Sequence, residues 1–553
     1  MGIPGLWDVL GGGQIVSLAE YSANHFQKTG KPLRIAIDEP TFRFRNLTPA
    51  QVKTIKDKVP AANPIEKAIL DIVFRLLRWN IECVFVFDGP SRPWKRGRPS
   101  GMPHYEEQRL LKELLRYMRV PICEAPGEAE AECAALQSTG IVDAVWTDDG
   151  DAFMFGCTTL IRFCKEVDVK TGKEVKRRKN QGRDEELDNA EGAGAHNASK
   201  GKASQGKSRT HVRIYTQEDL QKGGLDRAGV TAFAVLSGAD YDTKGITDCG
   251  PRKALQAARA GLGASLVQCP LTQLHMWRKE VVDFFPGLRV ELDWPNSRHV
   301  GHYRNPKVGS AEDHARVGAY LDGMLKKRFD LEALRRFLAG RFNLWTKGFM
   351  ENICPIILTR SLVQTEPDQR AANRVFNITI KRRRKVNGEY PQSAEIKVTY
   401  SPLSVMPSIN LKQKWERASD STMAQKKFEE ENNRDHTQPL ECELLDRVLR
   451  HGLPADIFEQ PEKPKQSRKR KSVDGEGSEE PANKPKRGRP PKKSPAPTTD
   501  TVPSEPALFS TPRGETREET VSRGPPSASA ARAPARRPVF IPPPIFHDPF
   551  PQG

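Results

Sequence analysis

The 553 residues carry a formal net charge of +18 and a sequence pI near 9.4, which points to a polyanionic partner, either nucleic acid or an anionic membrane surface. Only 37% of the residues are hydrophobic and the mean hydropathy is −0.63, values that fit a folded front and a polar tail rather than a uniformly globular chain. No apolar run approaches the roughly 20 residues of a membrane span, no signal-peptide pattern opens the chain, and nine scattered cysteines without a C-x-x-C pair argue against a disulfide framework or a zinc ribbon.

Residues 1–168 alternate strand-like and helix-like segments, which predicts an α/β domain with a mostly parallel sheet flanked by helices. Leu33–Asp38, Cys83–Asp88 and Val142–Asp149 are short apolar runs that read as buried strands, each ending in an acid. Pro64–Trp79 has apolar residues at Ile65, Ala68, Ile69, Ile72, Val73, Leu76 and Leu77, an amphipathic helix feeding the second strand. Glu106–Met118 reads as a second helix, heavily charged. Glu128-x-Glu130 follows Pro126-Gly127 and opens an Ala-rich stretch, so the pair falls in a first helical turn, where acids suit the dipole. Asp149-Gly150-Asp151 falls in the loop after a strand, with Gly150 expected to let the backbone turn tightly.

Residues 169–211 change to Lys, Arg, Gly, Asn and Ser and read as a disordered basic insertion. Order resumes at Val212–Tyr215, and helical patterns run through 231–238 and 253–260 within an internal region spanning 212–360. Asp240 stands just past the first of these helices. Residues 365–450 predict a small β-rich module. In it Val375–Ile380 and Ala394–Tyr400 alternate as strands around an Asn387-Gly388 turn, and a helix near 424–450 closes the module. Residues 460–553 read as a disordered basic tail.

Seven acids therefore gather where an open α/β sheet binds ligands, outside the carboxyl ends of its strands: Asp38, Asp88, Glu128, Glu130, Asp149, Asp151 and Asp240. Each alone has an ordinary account as a helix-start acid, a turn residue or a solvated charge. A solvated face does not predict their joint placement. Carboxylates crowded in this way repel one another unless cations join them, and hard divalent metals with oxygen ligands are the usual solution.

Six motifs make the reading specific. Met1–Trp7, Ile37-Asp38, Val86–Gly89, Ala125–Glu132, Asp148–Asp151 and Gly238–Tyr241 occur in the order found in the flap endonuclease/XPG family, which the chain resembles over about residues 1–260. The resemblance implies a PIN-like nuclease core that cuts branched DNA with two Mg²⁺ ions per site, Mn²⁺ being able to substitute. It assigns Asp38, Asp88, Glu128 and Glu130 to one metal and Asp149, Asp151 and Asp240 to the other. Paired metals of this kind stabilise the entering and leaving oxygens of an in-line displacement at phosphorus. Glu132 and Asp148 are read as acids beside the site, supporting or solvated.

The same resemblance nominates groups that handle DNA. Gly2 and Ile3 begin the fold and are candidates for junction contact, against the alternative of a buried first strand. Lys95, seven residues after Asp88, matches the family's lysine at the scissile phosphate and is counted with the catalytic residues. The family's partner arginine falls on Met102, leaving Arg96, Arg98 or Arg109 to replace it. Phe44 is a candidate for stacking on a base, or a core residue. Gly245–Lys253 resembles a helix–two-turn–helix element gripping duplex phosphates around a monovalent cation, with Gly245, Gly250, Arg252 and Lys253 as contacts. The family's first hairpin glycine is Asp248 here, a departure that weighs against the cation.

Asp88 and Glu128 stand only 40 positions apart, too few for the long helical arch of flap endonucleases, and no sliding-clamp box is found. Asp148–Gly156 is most similar to the eukaryotic Holliday junction resolvase branch. That branch carries a chromodomain where the β-rich module lies, and it implies a homodimer on the junction and 5′ flaps as further substrates. Trp415 and Tyr400 are read as DNA-contacting or structural rather than as an aromatic cage. In the tail, Lys486–Pro490 is AT-hook-like, with Arg487 and Arg489 fitted to a narrow minor groove, and Lys469–Lys471 resembles a nuclear localisation signal. The alternatives are a 5′-flap endonuclease or 5′-exonuclease and, from another class, a non-catalytic branched-DNA scaffold. The intact acid set disfavours the scaffold.

Overall fold

β2 (Leu33–Asp38) and β3 (Ile81–Phe87) are continuous apolar runs because both faces of the sheet they join are covered. They pair in parallel, Leu33 opposite Ile81 through Asp38 opposite Val86. The computed structural model that shows this describes residues 2–93, 95, 105–164, 167–168, 207–208, 211–381, 394–409 and 435–458. With β1 (Gln14–Ser17), β4 (Ile122–Glu124), β5 (Ala144–Trp146), β6 (Thr159–Phe163) and β9 (His211–Thr216), the two strands form a seven-stranded sheet of order β1-β9-β6-β5-β2-β3-β4. The four central pairings are parallel, and only β9 runs against β6 and β1.

Chain order explains where ligands must go. After β2 the chain crosses to β3 and β4 on one side, then returns to place β5 and β6 on the other. The crevice of such a sheet opens where the direction of winding switches, at the carboxyl ends of β2, β3 and β5. The helix Pro64–Arg78 feeds β3 and buries Ile69, Leu70, Ile72, Val73, Phe74, Leu76 and Leu77. It also packs on the long helix Thr346–Val363, which links the sheet to the C-terminal elements.

Several expected boundaries move. The run Val142–Asp149 contributes only Ala144–Trp146 as strand. Residues 167–168 (β7) and 207–208 (β8) pair as a two-stranded ribbon, so residues 207–208 of the expected disordered insertion have regular backbone, while 169–206 lies outside the described residues. Residues 367–376, expected to end in a strand, form a 3-10 helix, and Asn377 then turns into the left-handed region at φ 50°. The strand after it, β10, is only Thr379–Ile380.

β11 (Glu395–Tyr400) and β12 (Leu440–Leu445) complete a three-stranded antiparallel sheet, order β10-β11-β12. β12 takes residues 440–445 of the expected closing helix, of whose described part only Asp446 onward is helical, in the helix Asp446–Gly452; 424–434 lies outside the described residues. The alternation in Leu440-Glu441-Cys442-Glu443-Leu444 suits a strand, and pairing along the whole of β11 outweighs helix propensity. Tyr400 is 1% exposed and serves packing, not an aromatic cage. This sheet is docked on the front of the molecule: Trp79 Nε1 donates to Glu395 Oε1 at 2.7 Å, and the rings of Phe26 and His451 meet at 5.3 Å. Asn387-Gly388, Trp415 and the entire tail lie outside the described residues.

Candidate active site

Strand ends and helix ends together bring the acids into one place. Asp38 ends β2 and caps the helix Glu39–Arg45. Its Oδ2 accepts hydrogen bonds from the Thr41 and Thr147 hydroxyls, both at 2.6 Å, while its Oδ1 is buried without a hydrogen-bond partner. Asp88 follows β3, with Oδ1 accepting from the Ala129 amide at 3.0 Å and Oδ2 facing Arg92 at 3.1 Å. Glu128 caps the helix Ala129–Ser138 and Glu130 sits in its first turn; both are buried. Asp149 and Asp151 follow β5, and Asp151 Oδ1 is again buried without a partner. Asp240 follows the helix Arg227–Ser237, and its Oδ1 accepts from the Gly2 amide at 2.9 Å.

Lys95 stands among them. Its Nζ lies 2.5 Å from Glu128 Oε1, 3.0 Å from Glu130 Oε1 and 2.9 Å from Asp240 Oδ2, so one ammonium joins acids expected on both halves of the site. Burial works against its charge, but Glu130, Glu128, Asp149 and Asp240 outweigh that cost and raise its pKa well above the usual lysine value. The carboxylates respond in the opposite sense. Burial first, then repulsion from Glu130, raises Asp38 and Asp88, lifts Asp149 to about 6 and Glu128 to about 8; Asp151 rises through burial and its neighbour Asp149.

The described residues present no ready cage of three His, Cys, Asp or Glu donors for a metal ion. The donor set nevertheless suits hard divalent cations: all seven groups supply carboxylate oxygens, and two buried oxygens, on Asp38 and Asp151, lack any partner. A buried carboxylate oxygen in that condition is costly unless a cation or donor meets it.

A pH effect follows from these shifts. Carboxylates whose folded pKa is raised bind more protons in the native state than in the unfolded chain, so stability declines as pH rises through the folded values. The window runs from ordinary carboxylate values near 4 up to the value of about 8 at Glu128. Divalent ions at the site would remove that loss. Thermal melts in EDTA and in Mg²⁺ are therefore expected to diverge with pH, the gain in Tm from Mg²⁺ being larger at pH 8 than at pH 5.5; an equal gain at both would contradict the assignment.

The other nominated residues divide. Ile3 is 3% exposed, packed in the core within a turn rather than a strand, so it does not reach DNA; Gly2 beside it touches Asp240 instead. Phe44 is 75% exposed, which removes the core alternative and leaves a ring free to stack. Gly150 has an ordinary right-handed φ of −74°, so it is not there to turn the backbone. A side chain at that position would meet Leu6 Cδ2 at 2.9 Å, and close approach is what requires glycine.

Gly245 does need its conformation: φ is +57°, and an added Cβ would stand 2.4 Å from the Leu236 carbonyl oxygen. Asp248, where the family has glycine, adopts φ 64°, so the backbone keeps the glycine-like shape although the residue differs. Gly250, Arg252 and Lys253 are exposed where the helix Pro251–Arg259 begins. Arg96, Arg98, Arg487 and Arg489 lie outside the described residues, as does Met102. Arg109 is exposed on the helix Tyr105–Tyr117.

Glu132 is buried and points away from the metal side, taking the His314 ring at 2.8 Å and the Gly309 amide at 2.7 Å. Asp148 faces Arg45 and Arg162. Sequence reasoning missed four groups that set the carboxylates: Thr41, Thr147, Arg92 and Tyr241, whose hydroxyl donates to Glu128. Only Tyr241 carried a signal, as the residue following Asp240 in its motif.

Known proteins resemble parts of this chain in sequence and most of it in fold. Residues 119–240 match the XPG I-region family model. The chain is 27% identical over 267 residues to the flap endonuclease GEN homolog 1 of Mus musculus, covering 44% of this chain and 24% of that protein. It is 31% identical over 149 residues to the flap endonuclease GEN-like 1 of Oryza sativa subsp. japonica, covering 26% and 17%. The matched stretches therefore span a quarter or less of these relatives' length. Among solved structures, a eukaryotic junction-resolving enzyme GEN-1 with cesium aligns with a TM-score of 0.60 at 24% identity, over 83% of this chain and 98% of that one. The Holliday junction-resolving enzyme GEN1 with product DNA, Mg²⁺ and Mn²⁺ aligns at 0.58 with the same coverage. At this identity the likeness is one of fold.

Proposed function

We propose that the chain is a member of the flap endonuclease/XPG family and acts as a Mg²⁺-dependent structure-specific endonuclease that resolves four-way DNA junctions by paired symmetric incisions and also cuts 5′ flaps. The observation that carries this reading is the set of seven carboxylates gathered at strand and helix ends, with partnerless buried oxygens on Asp38 and Asp151 and the Lys95 ammonium among Glu128, Glu130 and Asp240. A non-catalytic scaffold gains nothing from concentrating negative charge where DNA must lie.

Asp38, Asp88, Glu128 and Glu130 would hold one Mg²⁺, and Asp149, Asp151 and Asp240 the second, with Mn²⁺ able to substitute. When bound, such ions supply Lewis-acid stabilisation of the oxygens that enter and leave at phosphorus. The chain's own groups do the rest. Thr41 and Thr147 hold Asp38 in one orientation. The Ala129 amide and Arg92 hold Asp88, and Tyr241 holds Glu128. Lys95 stands ready to offset phosphate charge as it builds in the transition state.

Exposed Phe44 is placed to stack on a base, and Gly245, Gly250, Arg252 and Lys253 to contact duplex phosphates beside a monovalent cation. The short connection from Asp88 to Glu128 favours junctions over threaded 5′ ends, and junction resolution calls for a homodimer on the DNA. The sheet β10-β11-β12 with its helix is read as a chromodomain-like module, and the basic tail with Arg487 and Arg489 as an AT-hook-like DNA contact in a nuclear protein. The test is cleavage of an immobile four-way junction, a 5′ flap and a linear duplex in Mg²⁺. Paired symmetric nicks in the junction are expected; cutting confined to free 5′ ends would favour the flap-endonuclease alternative, and binding without cutting the scaffold.

A further inference from the structure

The helix Ser297–Arg304 and the loop that follows it form one rim of the carboxylate site, and two sets of buried contacts fix them there. On the helix, the Tyr303 ring packs on Tyr241 at 4.6 Å and its hydroxyl accepts from the Tyr241 amide at 3.3 Å; the His302 ring meets the same Tyr241 at 5.4 Å. Since the Tyr241 hydroxyl donates to Glu128, a single side chain separates His302 from the metal-side acids. In the loop, the Lys307 carbonyl lies over Gly127, 2.7 Å from where a first side-chain carbon would stand. The Gly309 amide donates to Glu132 Oε2 at 2.7 Å, and the His314 ring holds the other oxygen at 2.8 Å. Glu132 sits on the helix that carries Glu130, so this loop is locked to the acids too.

The outward side of this rim is positive. Arg298 and Lys307 are exposed and His302 is half-buried. No described acid forms an ion pair with any of the three. Arg298 and His302 stand four residues apart, about one turn, on the same helix, and Lys307 follows in the loop. Burial first, then the charges of Arg298, His299 and Lys307, disfavour the His302 cation, while the acid Asp242 bears on His299 instead. Cations gathered without counter-charges repel one another, an arrangement that is relieved when a polyanion lies across them.

We propose that Arg298, His302 and Lys307 form a phosphate rail that takes the sugar–phosphate backbone of a duplex arm as it leaves the active site. The rail is separate from the Arg252–Lys253 contact at the start of the helix Pro251–Arg259. It rests on the nuclease reading above and adds a register to it. Because Tyr303 and Glu132 tie the rail to Glu128 and Glu130, a backbone seated on it stands at a set distance from the carboxylates. Contacts of this kind position the duplex without reading sequence.

The test compares wild type with R298A/K307A on an immobile four-way junction held uncut with Ca²⁺ in place of Mg²⁺, across a series of salt concentrations. Removing two phosphate contacts should weaken binding by about tenfold and lower the slope of log affinity against log salt by about two. In Mg²⁺ the loss should appear in KM rather than in the single-turnover rate at saturating junction. The charge-keeping variant R298K/K307R should recover the wild-type salt slope, which a merely structural role would not produce. An unchanged slope and affinity in R298A/K307A, or a loss confined to the saturating rate, overturns the rail while leaving the nuclease assignment standing. A requirement for an acidic peptide rather than DNA to see any difference between the variants overturns it as well. Failure of the wild type to bind or cut the junction overturns both.

Discussion

Replacing Asp38 by Asn should yield a folded protein that binds a four-way junction at least as tightly as wild type but cuts it more than about 100-fold more slowly, since even changes to groups behind metal ligands cost about 10–100-fold. The physical basis is the asymmetry of this side chain. Oδ2 is satisfied by two hydroxyls at 2.6 Å, and an amide oxygen keeps that acceptor role. Oδ1 is the buried oxygen without a partner, and it is the atom that loses its charge to an amide nitrogen. Because burial and repulsion from Glu130 already disfavour the Asp38 anion, the substitution relieves the metal-free protein. Its Tm in EDTA should equal or exceed wild type, while the stabilisation by Mg²⁺ shrinks. Single-turnover cleavage, junction binding and paired melts check the three parts; cleavage at the wild-type rate would refute Asp38 as a metal ligand.

Lys95→Met should separate two roles that the structure superimposes on one ammonium. Loss of a preorganised charge beside the scissile phosphate should lower the single-turnover rate by about 10²- to 10³-fold at saturating Mg²⁺. Yet Nζ also occupies carboxylate oxygens of Glu128, Glu130 and Asp240 that metal ions would claim. The variant should therefore reach half-saturation at a lower Mg²⁺ concentration even as it cuts slowly. Without metal it should melt earlier than wild type at pH 8, because the Lys95 charge that offsets the repulsion among Glu128, Glu130 and Asp240 is gone. A Mg²⁺ titration followed by both cleavage and Tm distinguishes these effects. A higher Mg²⁺ requirement would mean that Lys95 helps to assemble the metal site rather than competing for it.

The central sheet was legible because its strands are buried on both faces and so appear as continuous apolar runs; β2 and β3 stand where those runs are. Asp38, Asp88, Asp149 and Asp151 were legible for a related reason, ending or following such runs, whereas Glu128, Glu130 and Asp240 were legible from their places at helix ends. Legibility failed where local preference and tertiary pairing disagreed. β12 fell inside the expected helix near 424–450; its residues do alternate, but it is pairing along the whole of β11 that selects the strand. The 3-10 helix 367–376 carried a strand-like end whose path is broken by Asn377 in the left-handed region. Gly150 suggested a turn because glycine usually marks one, whereas its cause is Leu6, 144 positions earlier in the chain.

What the amino-acid order determined alone was the inventory: which seven carboxylates exist, that strand ends would carry them, and that a basic chain surrounds them. Spacing and hydropathy are local quantities, and these facts are local. What only the tertiary structure decided was how those charges are made tolerable. Hydroxyls from Thr41 and Thr147 settle on one oxygen of Asp38 and none on the other. Tyr241 reaches Glu128 across 113 positions, and Lys95 joins acids from separate segments of the chain. Such partners are brought together by packing rather than by sequence separation, since low-dielectric burial makes each unpaired charge costly and rewards whichever distant donor the fold can supply.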